Sequence, residues 1–421
     1  MKLKKIITTG MVVVLSMVTL SVLTACDGSN GSDELTLMIW DTFQEPGIRQ
    51  MTDIFTEETG VSVDIQLVTW DEYWTILQAG AQGGTLPDVF WMHSNEFQRY
   101  ADNELLLDLT DRISDSDLVD LNAFFSDIVE LYNFDGRQYA VPKDVDTIAL
   151  WYNRALFEAA GVATPSPDWT WDDLLEAAIL LTDADAGVYG FGWNVSNNQD
   201  GWYNLIYSYG GYVINEDRTR SGYDNPNTLE SMLFIERLLD ANVMPSLEVL
   251  SENGTNVLFE SEILAMATFG SWMVQAFASN DHLLENAGIA MLPTAPDGNR
   301  VSIYNGLGWA AAADGDNTDV AWQLIEFLGS ERMQYMQADL GITMSAIDGT
   351  STNWVNSVPE FNLQAHLDML DYIVILPYSR NKLVWDRMVE ESLQSVWLGQ
   401  RGIQEVLLEA AEAMNEALAN E

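Results

Sequence analysis

Three short stretches carry the side chains best suited to recognising a small molecule. Trp40 is followed by Asp41, Trp91 precedes His93 and Asn95, and Trp272 closes Gly270-Ser271-Trp272. Flat indole faces pack against C–H groups, while neighbouring carboxylates and amides accept and donate hydrogen bonds. Together they suit a ligand with an apolar face and a rim of hydroxyls, which is the surface of a sugar ring. One tryptophan alone is ordinarily a core residue. Three at the ends of apolar runs, each with polar neighbours, read better as a binding set. Other positions stay open between site and scaffold. Asp146, in Lys143-Asp144-Val145-Asp146, reads equally as a ligand acceptor and as part of a solvated hinge. Trp193 and Asn194, after Tyr189-Gly190-Phe191, read equally as site and as core. His93 reads as an edge of the site rather than a pH switch.

Catalytic chemistry finds little support. The three histidines, His93, His282 and His366, are far apart and in no metal-ligand spacing. No glycine pattern for phosphates is present, and Gly83-Gly84 and Gly210-Gly211 read as turns. A glycoside hydrolase would need two carboxylates flanking one bond at about 5–10 Å, and no local pattern supplies them. The chain is expected not to be an enzyme and to need no cofactor or metal.

The elements that must position these residues alternate. Leu35–Trp40 and Val61–Leu67 read as strands around a helix that has Pro46 near its start and Gly60 at its end. Trp70–Gln78 reads as a second helix and Pro87–Met92 as a third strand. Strand, helix, strand, helix, strand is the pattern of a parallel sheet covered by helices. Open sheets of this kind bind ligands beyond the strand ends, where the tryptophans lie. Asp135-Gly136 marks a hairpin, Ile148–Tyr152 a strand, and Trp171–Leu181 a helix. Thr228–Leu239, Asp319–Gly329, Leu383–Trp397 and Ile403–Ala419 read as helices, and Leu264–Ala267, Gly288–Leu292 and Leu307–Ala313 as strands.

At the N-terminus, Lys2, Lys4 and Lys5 precede an uncharged apolar run from Ile6 to Ala25, the form of an export signal. Leu23-Thr24-Ala25-Cys26 contains the single cysteine of the chain and resembles the lipobox of bacterial lipoproteins. This implies removal of residues 1–25, lipidation of Cys26, and a flexible tether over residues 26–32. The formal charge is -46, or -49 once the three signal lysines are gone, which excludes nucleic acid as a partner. Lys143 and Lys382 are then the remaining lysines. The acidity fits either a salt-adapted surface or a solubility device. A hydrophobic fraction of 48% with 15 tryptophans places the chain among folded proteins.

The order Pro87-Asp88-Val89-Phe90-Trp91, Tyr139-Ala140-Val141-Pro142, Leu150-Trp151-Tyr152-Asn153, Gly270-Ser271-Trp272-Met273 and Leu292-Pro293 resembles the extracellular solute-binding proteins related to maltose-binding protein. The resemblance runs from about residue 33 to the C-terminus. It implies an α/β fold of two lobes, each a mainly parallel sheet with flanking helices, serving an ABC-type importer. Lobe one would comprise residues 33–142 and 293–346, and lobe two residues 143–292 and 347–421, with hinge crossings near Pro142, Pro293 and Ile347. By the family's pattern Trp91 and Trp272 stack on sugar from opposite lobes, Asp146 accepts a hydrogen bond, and Trp385 stacks from the C-terminal helical part. Trp202 lies close to a stacking tyrosine of the family. Ser94-Asn95 replaces an Asp-Arg pair of the maltose-binding relatives, which disfavours maltose itself. The expected ligand is a sugar or oligosaccharide, with a polyamine as the rival, and the expected state is a monomer tethered outside the cytoplasmic membrane. Phosphate ligands are disfavoured because the strand-end segments lack arginine.

Overall fold

The first strand, Glu34–Ile39, pairs in parallel with Ser62–Leu67 on one side and with Val89–Met92 on the other. In the computed structural model, which describes residues 34–195 and 198–421, these strands belong to a five-stranded sheet. The leader and the proposed lipidation site at Cys26 lie outside the described residues. The sheet continues through Gly308–Ala311, antiparallel to Val89–Met92, to Ala140–Pro142 at its edge. All four side chains of Val89–Met92 are fully buried, because helices cover both faces of this inner strand. Burial of each such side chain is worth about 1.5–3 kcal/mol.

Local chemistry sets the helices around that sheet. Glu45–Thr59 starts on Pro46 and stops at Gly60, whose φ of 82° is the left-handed conformation that glycine adopts without strain. Trp70–Gly83 starts on a reciprocal cap between Thr69 and Glu72. It runs beyond the expected Gln78 because Gly80 and Gly83 are accommodated within it, and it ends at left-handed Gly84.

The second lobe is built on the strands Ala287–Ala290, Ile148–Asn153 and Met266–Gly270, in that spatial order. Here the pairing departs from the mainly parallel expectation: both neighbours run antiparallel to Ile148–Asn153. The central strand leaves the hinge at Ile148, and Met266–Gly270 runs back toward it, so Gly270 stands opposite Ile148. Parallel pairing among the described residues of this lobe is confined to a separate short ladder, Ser302–Tyr304 with Ile373–Ile375, and to single bridges such as Tyr189 with Leu264 and Gly192 with Ala267. The helices Lys382–Trp397 and Ile403–Leu418 pack on each other, and Ile403–Leu418 also packs on Pro226–Asp240.

Between the sheets the chain passes through a polar knot. Asp144–Val145 pairs with Met344–Ser345, and Asp146 bridges to Asn305. A Cβ on Gly306 would meet the Asp144 carbonyl at 2.0 Å, so only glycine lets these two crossings touch. The Gln334 and Gln337 amides donate to the Lys143 carbonyl at 3.0 and 2.9 Å. The return crossing falls later than Pro293. Segment 301–303 is still held by lobe-two groups: Val301 N donates to Ser208 Oγ, Ile303 N to Asn204 Oδ1, and Ser302 Oγ accepts from Ile148 N. The chain reaches the first sheet only through Asn305–Leu307.

Candidate functional site: the cleft between the lobes

On the lobe-one side, the ends of two parallel strands and the start of a helix bring five aromatic rings together. Trp40 meets Trp70, Tyr73 and Trp91 edge to face, with ring centroids 5.0, 4.8 and 4.9 Å apart, and Trp74 lies 6.1 Å away. Trp40 and Trp74 are half-buried, whereas Trp70, held at the helix start by the Thr69 cap, is 42% exposed. The ring of His93 stands 5.6 Å from that of Trp70.

Trp91 occupies a different place. It is fully buried between Trp40 and Trp309, and the Lys143 ammonium sits over its ring at 4.6 Å. The same ammonium donates to Gln44 Oε1 at 2.9 Å and pairs with Asp144 Oδ2 at 2.6 Å. Asp41 supports this chain from behind, accepting from the Gln44 side chain at 2.8 Å and from the Phe43 and Gln44 backbone. Asp41 therefore positions Gln44 and, through it, Lys143.

His93 caps the helix Ser94–Asp102 by accepting from Asn95 N at Nδ1, while Nε2 lies 3.2 Å from the Asn305 amide. Burial, and then the nearby Lys382 charge, hold its pKa down to about 3, so the ring is neutral. Among the described residues, the buried Asn95 Oδ1 has no hydrogen-bond partner.

Asp146 is the meeting point of the two lobes. It accepts from Asn305 N at 2.9 Å and from Gln199 Nε2, across the cleft on a lobe-two loop, at 2.5 Å. Burial first, and then neighbouring Asp144, push its pKa up to about 8. Asn198 Nδ2 donates to Asp386 at 3.1 Å and to Glu390 at 3.3 Å. Lys382 pairs with Asp386, which also accepts from Tyr203 at 2.6 Å. Burial and the charge of Asp386 raise Glu390 to about 8, and burial raises Asp200.

Trp272 is half-buried at the end of Met266–Gly270, and its ring lies over Gly270, where a Cβ would meet it at 2.0 Å. Trp193 and Trp202 are placed away from the cleft, in the interior of lobe two. Trp193 packs among Trp171, Phe191 and Phe234, and Trp202 against Trp397. Both are fully buried because helices close over them. Trp385 is also fully buried, its indole N–H donating to Ser379 Oγ at 2.8 Å and the Lys382 ammonium lying 5.2 Å from its ring.

Thus His93 and Asp146 are joined through Asn305, Trp70 stands beside His93, Trp91 lies beneath Trp40, and Trp272 follows the end of a lobe-two strand at the hinge. Trp70, Trp74, Asn198, Gln199, Asp200, Lys382, Asp386 and Glu390 join them without having been singled out from sequence. Two signals were available. Trp70 and Trp74 are spaced i, i+4, as are Lys382, Asp386 and Glu390, which places each set on one helix face.

Comparison with known proteins agrees with this architecture. Residues 41–335 match the family described as bacterial extracellular solute-binding protein. The galactooligosaccharide-binding protein of Bacillus subtilis is 25% identical over 73% of this chain and 71% of its own length. An ABC substrate-binding protein of Listeria monocytogenes, solved in complex with cycloalternan, superimposes with a TM-score of 0.84. It is 23% identical and covers 92% of this chain and 99% of its own. A Thermotoga lettingae solute-binding protein bound to α-D-tagatose gives 0.79 at 23% identity, covering 92% and 100%. Two open sheets, crossings knotted through Gly306 and a match over most of the described chain lead to one assignment: the protein belongs to the bacterial extracellular solute-binding family.

Proposed function

We propose that this protein captures a sugar or oligosaccharide between its lobes and delivers it to an ABC-type importer, without acting on it chemically. The observation that carries this reading is the composition of the cleft. Half-open indole faces at Trp40 and Trp70 stand by His93, which is linked through Asn305 to the carboxylates and amides around Asp146 and Asn198, and half-buried Trp272 ends a lobe-two strand at the hinge. Such a lining offers stacking to the C–H face of a pyranose and partners to its hydroxyls. The sugars named with the Bacillus, Listeria and Thermotoga proteins support the same ligand class.

Membership of an extracellular family fits an extracytoplasmic location, and among the described residues no helix is long and apolar enough to cross a membrane. Cys26 would then supply a lipid tether to the outer face of the cytoplasmic membrane. The lobes would part and close about residues 143–147, 305–307 and 344–347.

A thermal-shift and calorimetric panel of neutral and amino-substituted mono- and oligosaccharides tests the central claim. A ligand that binds only the folded state raises its melting temperature. If no sugar of either kind does so, sugar capture is wrong. For the tether, Cys26→Ser should abolish labelling by a palmitate analogue in the native host, and equal labelling of both forms would refute it.

A further inference from the structure

The lobe-two side of the cleft is short of hydrogen-bond donors and of positive charge. Lys143 is paired with Asp144 and Lys382 with Asp386, which uses both lysines that follow the leader. Asp146, Asp200 and Glu390 then form no ion pair among the described residues, and each has its pKa raised by burial. The amides nearby are already committed, that of Gln199 to Asp146 and that of Asn198 to Asp386 and Glu390. What remains is acceptor capacity. Asn198 and Asp200 are each only 4% exposed; the Asp200 carboxyl accepts from the Asn194 side chain, yet among the described residues the Oδ1 atom of each meets no donor.

A sheltered acceptor without a donor costs free energy that a suitable ligand recovers. A neutral hydroxyl brings one donor, but its own lone pairs seek donors that this face does not offer. A protonated amine brings several donors, no acceptor, and a charge that lets the surrounding carboxyls ionise. On the opposite lobe, the Trp40 and Trp70 rings supply faces for a sugar ring and, secondarily, for a cation.

Resting on the reading of the cleft as a sugar site, we infer that its ligand is an amino sugar or amino-oligosaccharide. The protonated amine docks against Asn198, Asp200 and Glu390, and the sugar ring lies toward the tryptophans.

Matched ligands test this: glucosamine with glucose, galactosamine with galactose, and deacetylated chitotriose with cellotriose and with its N-acetylated form. Calorimetry on the intact mature chain is run at a pH where the amines are protonated, with spermidine as a sugar-free cation. The expected result is that at least one amino sugar binds about tenfold or more tightly than its neutral partner, and that rising salt narrows the gap. Glu390→Gln and Asp200→Asn, checked for folding by circular dichroism, should each pull that ratio toward one. If neutral sugars bind as tightly as their amino partners, or bind alone, the amine assignment is overturned while sugar capture stands. If spermidine binds and no sugar of either kind does, sugar capture falls and the cationic specificity stands without the sugar ring. Silence across all of them counts against both.

Discussion

Two tryptophan clusters in this molecule have similar composition and opposite settings. In lobe one, Trp40, Trp70 and Trp74 gather where two strands end and a capped helix begins, and Trp70 stays 42% exposed. In lobe two, Trp171, Trp193, Phe191 and Phe234 gather between the helices Trp171–Leu181 and Pro226–Asp240, and all four are buried. The ring contacts are alike, with centroids roughly 5–6 Å apart and largely edge-to-face or tilted packing. What separates them is closure. The second cluster is enclosed by amphipathic helices, whereas the first sits at a sheet end where the next layer is the facing lobe. The same residue type is therefore sealed into a core in one place and left accessible in the other.

That contrast is breakable by mutation. The largest effect is expected from Trp193→Ala, which should destabilise folding by about 3–5 kcal/mol in urea denaturation. Protein that remains folded should keep its ligand affinity. Trp70→Ala and Trp272→Ala should do the reverse, weakening ligand binding about ten- to a hundredfold by calorimetry with little change in melting temperature. A large loss of stability in Trp70→Ala with unchanged affinity would erase the distinction between the clusters.

A third prediction concerns two buried carboxyls, one in the hinge and one on helix Lys382–Trp397. Asp146 and Glu390 have folded pKa values pushed up to about 8, above ordinary carboxyls of the unfolded chain. Between these limits the unfolded state has released protons that the folded state keeps, so stability falls as pH rises from about 4 to 8. Asp146→Asn and Glu390→Gln should flatten this part of the unliganded stability profile relative to wild type. An unchanged slope in both would mean that neither carboxyl is held protonated.

The smallest effect is expected at the rim. Arg380, on the lobe-two side, reaches Asp102 at 3.7 Å and Asp135 at 3.6 Å on lobe one, and stacks near Phe134. These exposed pairs are worth about 0–1 kcal/mol. Arg380→Ala should slightly expand the unliganded protein in small-angle scattering at low salt, and high salt should remove the difference.

Much of the framework could be read from sequence because local rules determine it. Gly60 and Gly161 stop their helices in left-handed conformations, Thr170 caps Trp171–Leu181, and Asp135-Gly136 turns a hairpin with both residues at positive φ. The cleft was legible in part. Strand-end position singled out Trp40, Trp91 and Trp272 alike, yet the first and last are half-buried while Trp91 is sealed, its ring covered by Lys143. Nothing local distinguishes a tryptophan that ends a strand from one roofed by a distant lysine. The return crossing was misjudged for a similar reason. Pro293 is a local breaker, whereas the segment at 301–303 is held in lobe two by Ser208 and Asn204, far away in sequence. Asn198 and Asp200 gain their setting only when helix Lys382–Trp397 folds against them.

The scarcity of lysine has a consequence for reagents. Beyond residue 5 the chain carries two primary amines on side chains, Lys143 and Lys382, exposed by 0% and 2%. An amine-directed ester or an isotopic methylating agent therefore finds no side-chain amine in easy reach while the lobes are together. Lys382 lies in the cleft beside His93, and Lys143 lies under Trp91 at the hinge. Lys382 should become reactive when the cleft parts, whereas Lys143 should need the hinge itself to loosen. The rates of modification at these two positions, read by mass spectrometry, would time cleft opening and hinge opening separately in the unaltered protein.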